Sequence, residues 1–170
     1  MKEGYSQFYI KLSISTINYD LNEALNQYLS VHNQVFTFSI LKFLKVFAKK
    51  DYGLYYWQLT HLTEDITTLN KKVFELKNAD LKENIGYNEN AKLYFELFFN
   101  YTSCLSNAID DLILIVDLLQ KKSEGVQSNK APFSNYNIIC DEYKKKVKIY
   151  ESIGKKLNTV SQSTFVNQID

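Results

Sequence analysis

The sequence predicts an all-α protein: a single antiparallel bundle of four long helices, with or without a short extra helix at the N-terminus. Three observations predict it. Apolar residues recur every three to four positions through four long segments. The 5 glycines and the single proline fall near the ends of those segments. The uninterrupted runs between them, about 30 residues each, are long for helices and far too long for strands. At 170 residues the chain suits one domain, a size that buries roughly 70% of the surface of the unfolded chain. The expected division is a bundle over residues 1–157 and a flexible polar tail over 158–170, where Ser, Thr, Gln and Asn dominate.

The first segment, residues 5–19, fits two periods. Phe8, Ile10, Leu12 and Ile14 alternate as in a strand, whereas Tyr5, Phe8 or Tyr9, Leu12 and Thr16 share a helical face. A lone strand would have no partner, so helix is preferred. Asp20-Leu21-Asn22-Glu23 then reads as a capping box that opens a new helix. Its stripe is Leu21, Ala24, Leu25, Tyr28, His32, Val35, Phe36, Phe43 and Phe47, and Lys49-Lys50 suit its C-terminal end.

Asp51 is a natural N-cap for the next helix. From Tyr52 the heptad is regular, with Tyr52, Leu59, Ile66 and Val73 at a and Tyr55, Leu62, Leu69 and Leu76 at d. A repeat of about 3.5 residues means a seam packed against other helices, here the 21–47 or the 94–119 stripe. Asn88 or Asn90 can cap the third helix. Its stripe of Tyr94, Leu97, Phe98, Tyr101, Leu105, Ala108, Leu112, Val116 and Leu119 is widened by Phe95, Phe99, Ile109 and Ile113. So broad an apolar face predicts a central helix with neighbours on two sides. Residues 121–135, with Gly125 and Pro132, read as a loop, and a last amphipathic helix turns Ile139, Tyr143, Val147, Tyr150 and Leu157 inward.

Composition narrows function. Net charge is +1 and all 20 basic residues are Lys. No guanidinium is present for a bidentate grip on phosphate or guanine, and mechanisms that need an arginine finger in cis are out. Cys104 and Cys140 are too few for a disulfide framework or a thiolate zinc site. Residues 1–5 lack the charged start and apolar run of a signal peptide, and the most apolar stretches are broken by charged residues. The expected setting is cytoplasmic, without a membrane span.

Four constellations could carry chemistry, and each has an ordinary reading beside it. His61 meets Glu64 at i+3 and Asp65 at i+4, spacing that could ligate a metal, but their heptad positions face away from the seam. Asp110 and Asp117, two turns apart, could hold magnesium, yet no second acidic helix faces them. Lys144, Lys145 and Lys148, with Tyr143 and Tyr150 between, could contact single-stranded nucleic acid, although neighbouring acids dilute the charge. His32 lies among apolar residues, where a core-edge imidazole bonded to a backbone or tyrosine oxygen is the common outcome. No catalytic, cofactor-binding or metal site is therefore assigned, and no cofactor is expected.

Tyr55-Tyr56-Trp57 is the densest aromatic cluster. With Leu54, the residues Tyr56 and Trp57 lie off the a/d seam and form a candidate interface, unless the N-terminal segment covers them. In outline, a compact helical bundle with a central, very apolar third helix resembles the HEPN class of small helical proteins. The resemblance is architectural. It implies a prokaryotic defence or toxin–antitoxin protein that binds RNA or a partner protein. Active members carry an Arg-x-x-x-x-His motif that a chain without Arg lacks, so the resemblance implies an inactive or divergent member. The reading that fits the residues best is a non-catalytic module that binds another protein or a second copy of itself. Nucleic acid is not expected as a partner.

Overall fold

The computed structural model describes residues 2–41, 52–83, 89–124 and 132–166. The described residues form four helices, α1 (Lys2–Leu41), α2 (Tyr52–Glu83), α3 (Glu89–Ser123) and α4 (Pro132–Ser161), followed by a π-helical turn, Gln162–Val166. No strand occurs among them. Cross-helix contacts follow the antiparallel order: along α1 and α4, Asn18 meets Ser161 and Tyr28 meets Tyr143, while Asp20 meets Lys72 and Asn70 meets Thr102. Helix α3 packs between α2 and α4, as its broad apolar face requires, and α1 closes the bundle.

Helix α1 corrects three expectations. It runs through residue 20 without a break, so there is no separate N-terminal helix and no capping box. The reason is the phase of its buried stripe. Ile14, Ile17, Leu21, Ala24, Tyr28, Val31 and Val35 follow one another at steps of three and four across the supposed boundary. Asp20 instead reaches across to Lys72, 3.1 Å away. The face chosen for the first segment was also wrong: Leu12 and Thr16 are exposed, and Ile14 and Ile17 are the core residues. Phe43, Phe47, Lys49, Lys50 and Asp51 lie outside the described residues.

All eight a and d residues of α2 are buried, and the seam they form faces both α1 and α3. The same heptad recurs in the other helices, through Tyr94, Phe98, Tyr101, Leu105, Ala108, Leu112, Ile115 and Leu119 in α3. In α4 it runs through Cys140, Tyr143, Tyr150, Leu157 and Ser161, and Thr164 of the π-helical turn is buried beyond it. Four matched heptad stripes are what a bundle with knobs-into-holes packing needs. Each fully buried Leu, Ile or Phe contributes roughly 1.5–3 kcal/mol relative to an exposed one. In α3, Leu97, Phe99 and Ile113 are only half-buried, while Ile115 and Thr102, absent from the expected stripe, are fully buried. The Thr102 hydroxyl is satisfied there, within 2.7 Å of Asn70 Oδ1 on α2.

Two ends differ from expectation. Helix α3 opens at Glu89, which puts Asn90 inside the helix; Asn88 lies outside the described residues. It continues to Ser123, with Lys121 and Lys122 in its last turn, and α4 starts at Pro132. The rest of the expected loop, residues 125–131, lies outside the described residues. Proline at a first helical position loses no hydrogen bond, which makes it a start signal here. Past Asn158 the chain stays helical through Val166, and Ser161 and Thr164 are buried. Residues 167–170 lie outside the described residues.

Candidate functional site

Helices α1 and α4, the first and last, meet through long side chains rather than through close backbone approach. Two polar nodes join them. At one end, Asn18 Nδ2 donates to Ser161 Oγ at 2.9 Å, and Asn18 Oδ1 accepts from the Tyr94 hydroxyl at 2.7 Å. One asparagine thereby ties α1 to both α3 and α4. At the other end, the Tyr28 and Tyr143 hydroxyls lie 2.5 Å apart, and Tyr143 also bonds His32 Nδ1. Tyr150 packs edge-on to Tyr28, and Phe36 stacks on Tyr143 with ring centroids 5.3 Å apart.

Between the nodes lies a groove of about 740 Å³. Leu21, Leu25 and Leu29 line one side, Leu157 and Gly154 the other, and Tyr101 of α3 forms part of the lining as well. Gly154 is required by a close approach. A Cβ there would sit 2.7 Å from Tyr101 Cε2, well inside contact distance.

Electrostatics keep this seam neutral. Burial raises the pKa of Tyr28, Tyr94, Tyr101 and Tyr143 far above the usual tyrosine value. Tyr136 is pushed up to about 12 by burial and by Cys140 beside it. Burial lowers the His32 pKa, against an opposing pull from Glu151. At neutral pH the cluster therefore presents hydroxyls and a neutral imidazole. It can donate and accept hydrogen bonds, but it offers no phenolate as base or nucleophile. On the adjoining α3–α4 side, Lys146 Nζ lies 2.7 Å from Asp111 Oδ2, whose side chain is only 13% exposed.

The residues singled out by sequence lie elsewhere, and most stay apart. His61 Nδ1 is 3.2 Å from Glu64 Oε2 on the outer face of α2, and Asp65 is exposed there too. Asp110 is exposed on α3, and Asp117 pairs at 2.6 Å with Lys121 of its own helix. Among the described residues no group of three or more His, Cys, Asp or Glu could hold a metal ion. Lys144 pairs with Asp141 and Lys145 with Glu142, while Lys148 is exposed. No described helix is long and apolar enough to cross a membrane.

The aromatic group on α2 does stand out on the surface. Trp57 is 58% exposed, Leu54 48% and Tyr56 46%. The N-terminal part of α1 does not cover them. It packs at the far end of α2, where Leu12, Ile17 and Asp20 lie by Lys72 and Leu76. The Trp57 ring is held edge-on against His61, with centroids 4.3 Å apart. So His61 has a neighbour that sequence reasoning did not assign to it, although the i,i+4 spacing carried the signal.

The Tyr28–Tyr143–His32 cluster was not foreseen as a unit. Its signal was present: tyrosines at core heptad positions need partners for their hydroxyls. Compared with known families, curated proteins and solved structures, the chain gives no significant match.

Proposed function

We propose that the protein is a non-catalytic helical interaction module whose docking face is the outer side of the first turns of α2. The observation that carries the reading is Trp57, 58% exposed with its ring edge-on against His61. An ordered, exposed tryptophan is a pre-organised anchor, because little side-chain freedom is left to lose on binding. Tyr56 and Leu54 extend the apolar area around it. Aromatic anchors of this kind dominate the energetics of protein interfaces. The partner is a protein, or a second copy of the chain, that offers an apolar pocket.

The RNA-binding alternative draws less support, since Lys144 and Lys145 are each neutralised by an acid of the same helix. The test is to purify the native protein, identify what accompanies it and measure its mass in solution, then repeat with Trp57→Ala. The variant keeps its cooperative unfolding and loses association by at least tenfold, as expected for an anchor worth about 2 kcal/mol. A variant that unfolds, or that associates as tightly as the parent, contradicts the reading.

A further inference from the structure

We propose that the α1–α4 contact is an acid-sensitive clasp, in which protonation of His32 reverses a chain of tyrosine hydroxyls and costs the folded state stability. The chain is the one that joins His32 to Tyr143 and Tyr143 to Tyr28. Tyr150 stands edge-on to the Tyr28 ring, with centroids 5.7 Å apart. With His32 neutral and its proton on Nε2, the Nδ1 lone pair accepts the Tyr143 hydrogen, and the Tyr143 oxygen accepts that of Tyr28. Imidazolium carries hydrogen on both nitrogens. Nδ1 must then donate, so Tyr143 turns its hydrogen toward Tyr28, and Tyr28 must turn its own hydrogen away from Tyr143. One proton at the edge of the bundle thus sets the polarity of hydroxyls in the core.

The surroundings decide which polarity wins. From α4, His32 faces Tyr143 and feels the Glu151 carboxylate. On its own helix it touches Tyr28 and Phe36, neither of which is charged at neutral pH. Tyr143 in turn feels Asp111 of α3 and Tyr150 and Cys140 of α4. The Asp111 charge is met by Lys146. Glu151 favours imidazolium, but burial disfavours it more strongly, which places the folded-state pKa below the ordinary 6.5. The sign follows. Between the folded value and 6.5 the unfolded chain binds more protons, so stability is full above 6.5 and falls as pH drops through that window. For one group the folded-to-unfolded ratio falls by up to about tenfold per pH unit.

The chain has 2 histidines, so a proton NMR titration resolves both, and His32→Gln assigns them. Glutamine can still accept the Tyr143 hydrogen but does not titrate. The expected result is a His32 midpoint below 6.5, with the Tyr143 ring resonances moving on the same midpoint. Between about pH 7.5 and about pH 5 the parent should also lose stability that His32→Gln keeps. Tyr143→Phe retains the stack on Phe36 and breaks the hydroxyl chain, so the Tyr28 ring resonances should no longer follow the His32 midpoint; this variant carries the test if His32→Gln does not fold. A His32 midpoint at or above 6.5, Tyr143 resonances that stay still, or equal acid losses in parent and His32→Gln would each overturn the clasp.

Discussion

Replacing Gly154 by alanine should destabilise the protein, against the usual effect of that substitution in a helix. In an unconstrained helix interior the change gains about 1 kcal/mol, because glycine loses the most backbone freedom on folding. Here the new Cβ meets Tyr101 Cε2 at 2.7 Å and Cδ2 at 3.3 Å. Carbon atoms in favourable contact sit about 3.5–4.0 Å apart, so the ring must move by most of an ångström. Tyr101 is only 4% exposed and stands edge-on to Tyr150 with centroids 6.0 Å apart, so moving it disturbs that contact as well. Overpacking of this kind costs about 1–3 kcal/mol. The net expectation is a loss of about 1 kcal/mol, or roughly 2–4 °C in Tm for a chain of this size. Urea unfolding followed by circular dichroism gives the number. In a Tyr101→Leu background the clash is gone, and Gly154→Ala should then stabilise by about 1 kcal/mol. The two results make a coupling of about 2 kcal/mol in a double-mutant cycle. If Gly154→Ala raises stability in the parent, the argument from the close approach is refuted.

Three further outcomes follow from the same packing. Thr102→Val keeps the shape of a fully buried side chain but removes its bond to Asn70, and should cost about 1 kcal/mol in denaturant unfolding. Lys146→Met leaves the partly buried Asp111 without its partner and should cost more than Lys121→Met, which breaks a more exposed pair worth no more than about 0.5 kcal/mol. In alkali, the unfolded tyrosines ionise near 10 while Tyr28, Tyr94, Tyr101 and Tyr143 hold their protons, so stability falls as pH rises above 10. Ultraviolet titration should show these phenols ionising together with unfolding; four buried tyrosines that ionise near 10 in a folded chain would contradict the burial.

The helix count, the α2 seam and the central place of α3 were legible because heptad phase is a local property of the chain. Errors arose where residue type was weighed above phase. Leu12 looked like core because it is large and apolar, but extending the spacing of Leu21, Ala24, Tyr28 and Val31 backwards selects Ile17 and Ile14. Asp20 and Glu23 match a capping box letter by letter, yet a helix with an unbroken stripe runs straight through such a pattern. Pro132 looked like a loop residue because the sequence does not say on which side of a turn a proline falls. The site was less legible still. A tyrosine oxygen as partner for His32 could be expected by type, but the tyrosine itself is 111 residues away. In the lysine-rich part of α4 nothing local separates Lys146, turned toward Asp111, from Lys145, paired with its own helix. Such pairings belong to the fold, and a single sequence read by phase alone does not contain them.

The central claim, that Trp57 is an exposed anchor rather than a core residue, has a direct test because it is the single tryptophan in the chain. Acrylamide quenching of its fluorescence is measured in the folded monomer and in the unfolded chain. The account predicts quenching in the folded monomer that approaches the unfolded value, and protection when the partner or a second copy binds. A blue-shifted, unquenched tryptophan in the folded monomer would contradict it.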